Sequence, residues 1–363
     1  MHPRTAVTFL LGLFVLSLAA CRREPPKSDF FHTPVPSTYD FPYVNYGGQI
    51  ERLDQMEEMM EYIETANQYG VQLDGAVLTA MFANTNGNAN GNFPFTSEKD
   101  IKSKVFEPHL SLFEDYFTTL VNASKSLDTA GDGVAGVMYS EDGSSSRLFA
   151  ANGVEYAELI EKGLLGALCY YQATAVYLSD EKMEVDNEEI VEGEGTAMAH
   201  HWDEAYGYLG VSNDFPENVE DIRFWGKYCN RRNTVLGSNE KLSEAFRIGR
   251  SGILWHRYSE RDSAITLVRT EWENVCAATA IHYINSALAN MDNDYMRNHV
   301  LSEAHGFVKA LFYNPERRIT QTQVDEVIGL LGDNFYAVST SDLQSARDLL
   351  AAVYGWENIK TTL

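Results

Sequence analysis

A long run of apolar residues at helical spacing constrains the fold of this chain more than any other feature. The positions step by three and four residues along one segment: Ile265, Val268, Trp272, Val275 and Thr279. This spacing puts them on one face of a helix of about 28 residues. His282 continues the same face. A long helix with one apolar face is typical of a helical bundle, in which it lines the core.

The same periodicity elsewhere predicts an all-α fold, a bundle of about eight to ten helices. A largely uncharged helix that opens at Asn152, with Glu155 three residues on, should be central and buried. Capping boxes at residues 320–323 and 341–344 announce the last two helices, and Gly332 should end the first of them.

Helical spacing lapses between residues 127 and 151. Turn clusters on both sides of residues 134–139 predict a small hairpin or an irregular excursion there. A calcium loop formed by Asp128, Asp132 and Asp142 is the alternative, although the spacing of an EF-hand is absent.

The N-terminus predicts export and attachment to a lipid. Arg4 precedes an apolar run at residues 6–18, which is short for a membrane span and fits the core of a signal peptide. The run ends in Leu-Ala-Ala-Cys, which resembles the lipobox of bacterial lipoproteins, with Cys21 as the lipidated residue. We therefore predict a signal peptide at 1–20, a proline-rich lipidated tether at 21–41 and a helical domain at 42–363, as one bundle or as two sub-bundles. The anchor would lie in the bacterial cell envelope, in the outer membrane facing the periplasm.

Charge and cysteine content restrict the partners. The chain has 28 Lys and Arg residues against 52 Asp and Glu residues, a formal net charge of −24. A nucleic acid would be repelled, whereas metal cations and neutral ligands are compatible with this charge. The three remaining cysteines are widely spaced and predict buried thiols, or at most one disulfide: Cys169, Cys229 and Cys276.

The segment at residues 199–210 concentrates the polar chemistry of the chain, and a helical wheel divides it into faces. The face expected to pack into the core holds Met198, Trp202, Ala205 and Leu209. His201, Glu204 and Tyr208 lie along its edge, while His200 and Asp203 are expected in solvent. His201 and Glu204 are three residues apart, so they can hold one ion or one proton between them.

A neutral imidazole with a carboxylate suits a divalent ion such as zinc or iron, and ferric iron if more oxygen ligands join. Two ligands from one helix do not make a tight site. We expect further ligands from neighbouring elements, in the order Glu194, Tyr208, His282 and Glu303. The acidic connection at residues 180–194 leads into this helix and should raise the local concentration of cations.

Export as a lipoprotein, the helical fold and this motif together resemble the imelysin family. Its G-x-H-x-x-E motif falls here on Ala199, His201 and Glu204, with alanine in place of the first glycine. The resemblance implies a helical bundle that handles iron or haem in the envelope. Residues 45–49, 153–156 and 301–307 are in turn similar to a group of Bacteroidetes lipoproteins named DUF4856, which would cover nearly all of the mature chain.

Catalysis is the less favoured interpretation. The chain lacks the H-E-x-x-H pairing that supplies zinc ligands and a general base on one helix, and no Ser or Cys nucleophile stands in a recognisable context. We therefore predict a non-catalytic envelope lipoprotein that binds a metal ion, iron or an iron/haem complex through His201 and Glu204. The alternatives are a metal-dependent peptidase of the imelysin type and a glycan-binding or scaffolding lipoprotein, in which exposed aromatic residues would matter more than His201.

Overall fold

The computed structural model describes residues 34–363, which form twelve α-helices and one small β-hairpin. The helices are α1 (Gly47–Glu64), α2 (Gly75–Phe82), α3 (Leu110–Ser124), α4 (Tyr156–Leu164), α5 (Asp180–Met183), α6 (Ala197–Gly207), α7 (Trp225–Leu236), α8 (Ser238–Leu254), α9 (Tyr258–Ala289), α10 (Asp294–Ala310), α11 (Gln321–Leu331) and α12 (Thr340–Tyr354). The predicted all-α class is confirmed, with two more helices than the upper end of the expected range. The predicted signal peptide, Cys21 and most of the predicted tether lie outside the described residues.

The helix α9 lies at the centre of the bundle and contacts α7, α8, α10 and α12. It is 32 residues long, somewhat longer than its periodicity predicts. The periodic residues Val268, Trp272 and Val275 are fully buried, as expected of a core-facing stripe. Across residues 34–363, no helix combines the length and the apolar character needed to cross a membrane.

The helix predicted to begin after Asn152 begins later, at Tyr156. Glu155 occupies the N-cap position, but its carboxylate makes no capping hydrogen bond and instead contacts Arg147 at 3.1 Å. The helix continues past Leu164 into two wide π-helical turns, Leu165–Tyr170 and Gln172–Tyr177. Most of this stretch is buried, which confirms the prediction of a central uncharged segment.

The expected hairpin is present as β1 (Gly136–Tyr139) paired antiparallel with β2 (Ser146–Phe149). Asp142 lies in its turn and accepts hydrogen bonds from Ser140 and Ser144. Asp132 instead contacts Asn334 through a hydrogen bond of 3.1 Å. The aspartates of the calcium alternative therefore have separate roles, and they do not form a group of closely spaced ligand atoms within residues 34–363.

The capping predictions for the last two helices have different outcomes. Thr320 and Gln323 form both hydrogen bonds of a capping box at the start of α11, and Gly332 ends that helix with a φ of 75°. The prediction of a capping box at residues 341–344 is wrong. Ser339 caps α12 two residues earlier and accepts a hydrogen bond from the backbone N–H of Asp342.

Candidate functional site

The helix α6 carries the His-x-x-Glu motif and packs tightly against α8. Thr196 caps it by accepting a hydrogen bond from the backbone N–H of Ala199. Its Trp202 indole is fully buried and donates a hydrogen bond of 3.0 Å to the carbonyl of Phe246 on α8. A Cβ atom placed on Gly249 would lie only 2.0 Å from the Trp202 ring, so this close approach requires glycine.

Asp203 lies in the core and not in solvent, which corrects the helical-wheel prediction. Its side chain is fully buried, with Arg250 Nε 2.9 Å and the Tyr39 hydroxyl 2.7 Å from its Oδ1 atom. Burial raises the pKa of the Asp203 carboxyl, and Arg250 and Tyr39 offset only part of that rise. Arg250 also donates to the carbonyl of Pro42. The pair therefore fastens the segment that precedes α1 to both α6 and α8.

His201 and Glu204 contact each other at the outer edge of α6, as their spacing predicts. The distance from His201 Nδ1 to Glu204 Oε2 is 3.0 Å, and Gln49 of α1 donates to the other carboxylate oxygen at 3.1 Å. Burial raises the pKa of Glu204, but the hydrogen bonds from His201 and Gln49 outweigh it and lower the pKa below its usual value. Glu204 is therefore held as a carboxylate.

A cavity of about 230 Å³ borders this edge of α6. Its titratable lining residues are Asp186, Glu189, Glu194, His200 and His201. Glu194 is exposed in a turn closed by a hydrogen bond of 2.8 Å from the Val191 N–H to the Gly195 carbonyl. The structure thus brings the first of the expected additional ligands, Glu194, to the same cavity as His201.

Tyr208 and His282 do not line this cavity. Tyr208 is fully buried, its hydroxyl has no hydrogen-bond partner among the described residues, and burial raises its pKa well above the usual value. His282 lies on α9 with its Nδ1 atom 3.2 Å from the carbonyl oxygen of Leu363. Burial and the nearby Arg232 lower the pKa of His282.

A family model described as "Domain of unknown function (DUF4856)" matches residues 36–338. The chain belongs to this family. The matched span includes α1 to α11, the hairpin and all the residues around the cavity. No curated protein and no solved structure matches the chain. The description of the DUF4856 family names no activity, and the resemblance to imelysins stays a prediction.

The DUF4856 domain contains a second cluster that sequence reasoning missed. His299 of α10 lies with its Nδ1 atom 2.8 Å from Glu155 and 3.6 Å from Glu158, and its Nε2 atom 3.4 Å from Glu303. Within residues 34–363, one group of three His, Cys, Asp or Glu residues has all its potential ligand atoms within 4.8 Å of one another. This group consists of Glu155, Glu158 and His299. The spacing of Glu155 and Glu158 (i, i+3) and that of His299 and Glu303 (i, i+4) are visible in the sequence. The contact between these two pairs, which are far apart in the chain, is not.

Two cations already neutralise this second cluster. Arg147 is 3.1 Å from Glu155, and Lys162 is 2.8 Å from Glu158. Burial lowers the pKa of His299, but Glu155, Glu158 and Glu303 together raise it above its usual value, which favours an imidazolium. A metal ion would have to displace these cations, so the cluster is an ion-pair network that joins α4 to α10. Glu303, another of the expected ligands, belongs to this network.

Proposed function

We propose that this member of the DUF4856 family is a lipid-anchored envelope protein that binds a metal ion or an iron complex, without catalysis, in the cavity beside His201. The observation that carries the proposal is the lining of that cavity. Two imidazoles and three carboxylates surround a space of about 230 Å³, and no lysine or arginine neutralises them there. This set of side chains is typical of sites for zinc and iron.

The His201–Glu204 contact supports a division of roles between the two residues. An imidazole that binds a metal commonly donates its other ring N–H to a carboxylate, which fixes the tautomer and the ring orientation. Glu204 is placed to accept from Nδ1, and His201 Nε2 has no hydrogen-bond partner among the described residues. In our proposal His201 Nε2 is the ligand, and Glu204 positions it.

The remaining ligands would come from the acidic connection that precedes α6. Asp186, Glu189 and Glu194 all line the cavity, and Glu194 lies in an exposed turn between two glycines of positive φ. Among residues 34–363, the cavity side chains do not form a group of three ligand atoms within 4.8 Å of one another. The turn that carries Glu194 would therefore have to close on an ion to complete the coordination. The net charge of −24 favours the approach of any cation.

The test is metal analysis of the purified protein and its variants. We expect bound zinc or iron in the parent protein, loss of that metal in His201→Ala, and about ten-fold weaker binding or more in Glu204→Gln, since removing an orienting carboxylate has an effect of this order. His256→Ala is the matched control, because His256 is an exposed histidine outside this cavity. Cys21→Ala should in addition release the protein from the membrane.

Three outcomes would overturn the proposal. They are a parent protein without metal, equal metal content in all variants, and loss of metal from His256→Ala to the same degree as from His201→Ala. Metal-dependent cleavage of a peptide would replace the non-catalytic reading with the peptidase alternative.

A further inference from the structure

A second cavity, of about 440 Å³, adjoins the cavity beside His201. The two cavities share Gly195 and Thr196 in their walls, so the residues just before α6 form a wall common to both. The larger one lies between the segment before α1, the connection before α6 and the end of α8. Its volume is in the range of cavities that bind small molecules.

One exposed aromatic residue lines this cavity, and two more lie next to its lining residues. Tyr43 lines the cavity and is 47% exposed. Trp255 is 55% exposed and stands in the sequence between the lining residues Leu254 and His256, and Tyr258 is 36% exposed with its hydroxyl 3.3 Å from Nδ2 of the lining residue Asn187. The Trp255 indole makes no ring contact or hydrogen bond with any residue in 34–363. Exposed aromatic side chains beside a cavity are typical of surfaces that bind a ligand.

Two of the lining residues have a backbone conformation that large side chains rarely adopt. Tyr43 has a φ of 60° and His256 a φ of 53°, both in the left-handed region. Glycine would fit these positions without strain. Strained residues that persist tend to lie at binding sites, where the strain presents a side chain that a relaxed backbone would not.

The polar side chains that line the cavity contact other residues of the protein. The Asn187 amide donates to the Ile253 carbonyl, and its oxygen accepts from Thr196, while Glu188 faces His256 at 3.6 Å. The one arginine in the lining, Arg250, is already committed to Asp203 and to the carbonyl of Pro42. The cavity therefore offers no unpaired cation to a phosphate or a carboxylate.

We propose that this cavity binds a neutral carbohydrate. A sugar ring has an apolar face of C–H groups, which stacks on exposed aromatic rings, and a rim of hydroxyls, which hydrogen-bonds to carboxylate, imidazole and amide groups. Tyr43 and Trp255 supply the stacking surfaces, and Glu188 and His256 supply hydrogen-bonding groups at the edge. This site is separate from the proposed metal site and does not depend on it.

The test is a titration of the purified protein with neutral hexasaccharides of glucose, xylose, mannose, galactose and N-acetylglucosamine. Calorimetry measures binding, and tryptophan fluorescence compared between the parent and Trp255→Ala locates it, because Trp255 is exposed, Trp356 is half-buried, and Trp202, Trp225 and Trp272 are buried. We expect at least one hexasaccharide to bind and to protect Trp255 from a soluble quencher. Tyr43→Ala and Trp255→Ala should each bind that sugar about ten-fold more weakly, and Trp255→Phe should keep part of the affinity.

Tyr139→Ala is the matched control, since Tyr139 is an aromatic residue of similar exposure on the hairpin. It should bind as the parent does, and binding should survive a chelator. The proposal is overturned if none of the five sugars binds, if Tyr139→Ala loses as much affinity as Tyr43→Ala, or if the chelator abolishes binding. Binding of a fluorescent fatty acid in place of every sugar would also overturn it and would indicate an apolar ligand.

Discussion

Replacing Asp203 with alanine should lower the free energy of unfolding by about 3–5 kcal/mol, the usual effect of removing one partner of a buried ion pair. Both side chains lie in the core, with relative exposures of 0% for Asp203 and 3% for Arg250. The variant would leave the guanidinium with the carbonyl of Pro42 and the ring of Phe41, neither of which carries a charge. Without the carboxylate, the hydrogen bonds that join α6 to α8 and to the segment before α1 through Asp203 would be lost.

The expected loss can be measured by thermal unfolding. For residues 34–363 the entropy of unfolding near the transition is about 0.7 kcal/mol/K. A loss of about 4 kcal/mol then lowers Tm by about 6 °C. Asp203→Asn should cost less than Asp203→Ala, because burial raises the pKa of Asp203 and an amide resembles the protonated carboxyl in shape. Differential scanning calorimetry of the three proteins at one pH gives the comparison.

A double variant separates charge from packing. Asp203→Leu combined with Arg250→Met removes both charges and keeps apolar volume, so it should recover most of the stability that Asp203→Ala loses. A loss below about 1 kcal/mol in Asp203→Ala, the range of a solvent-exposed pair, would refute the reasoning. A double variant no more stable than Asp203→Ala would show that shape, and not the unpaired charge, causes the loss.

Three further predictions concern other buried groups. His299→Gln should lower the free energy of unfolding by about 1.5–3 kcal/mol near pH 6, and by less at high pH. The pKa of His299 is higher in the folded protein than in the unfolded chain, so its ion pairs stabilise the fold fully at a pH below the pKa of the unfolded state. This stabilisation is lost as the pH rises through the pKa of the folded state. Equal losses of stability at both pH values would contradict this reasoning. Gly249→Ala should destabilise by about 3 kcal/mol through its clash with Trp202, and an unchanged Tm would disprove so close an approach. Burial raises the pKa of the free thiols of Cys169, Cys229 and Cys276. A thiol reagent should therefore label them only when the protein unfolds. Rapid labelling of the native protein would contradict their burial.

Signals confined to one helix predicted the fold well. The stripe from Ile265 to Thr279 identified the central helix, and the box at residues 320–323 identified the start of α11, because each depends on neighbours a few residues away. The start of α12 was misplaced because Ser339 and Ser341 both offer a capping hydroxyl. Only the backbone geometry at Ser339 decides between them.

Contacts between distant parts of the chain set the limits of prediction at the site. The His201–Glu204 contact follows from helical spacing and is present at 3.0 Å. The burial of Asp203 depends on Tyr39 and Arg250, which are 164 and 47 residues away, so the wheel of α6 alone placed it in solvent. The His299–Glu155 pair, 144 residues apart, was missed for the same reason.

The inner and outer sides of α6 should tolerate amino-acid substitution to different degrees. The inner side, with Trp202 and Asp203, fixes the backbone, whereas the outer side, with His201 and Glu204, contributes little to the core. Substitutions on the outer side can therefore accumulate in evolution without threatening the fold. The same separation makes α6 a scaffold for redesign, in which cysteine in place of His201, the proposed ligand, would shift the preference towards softer metals at an almost constant Tm.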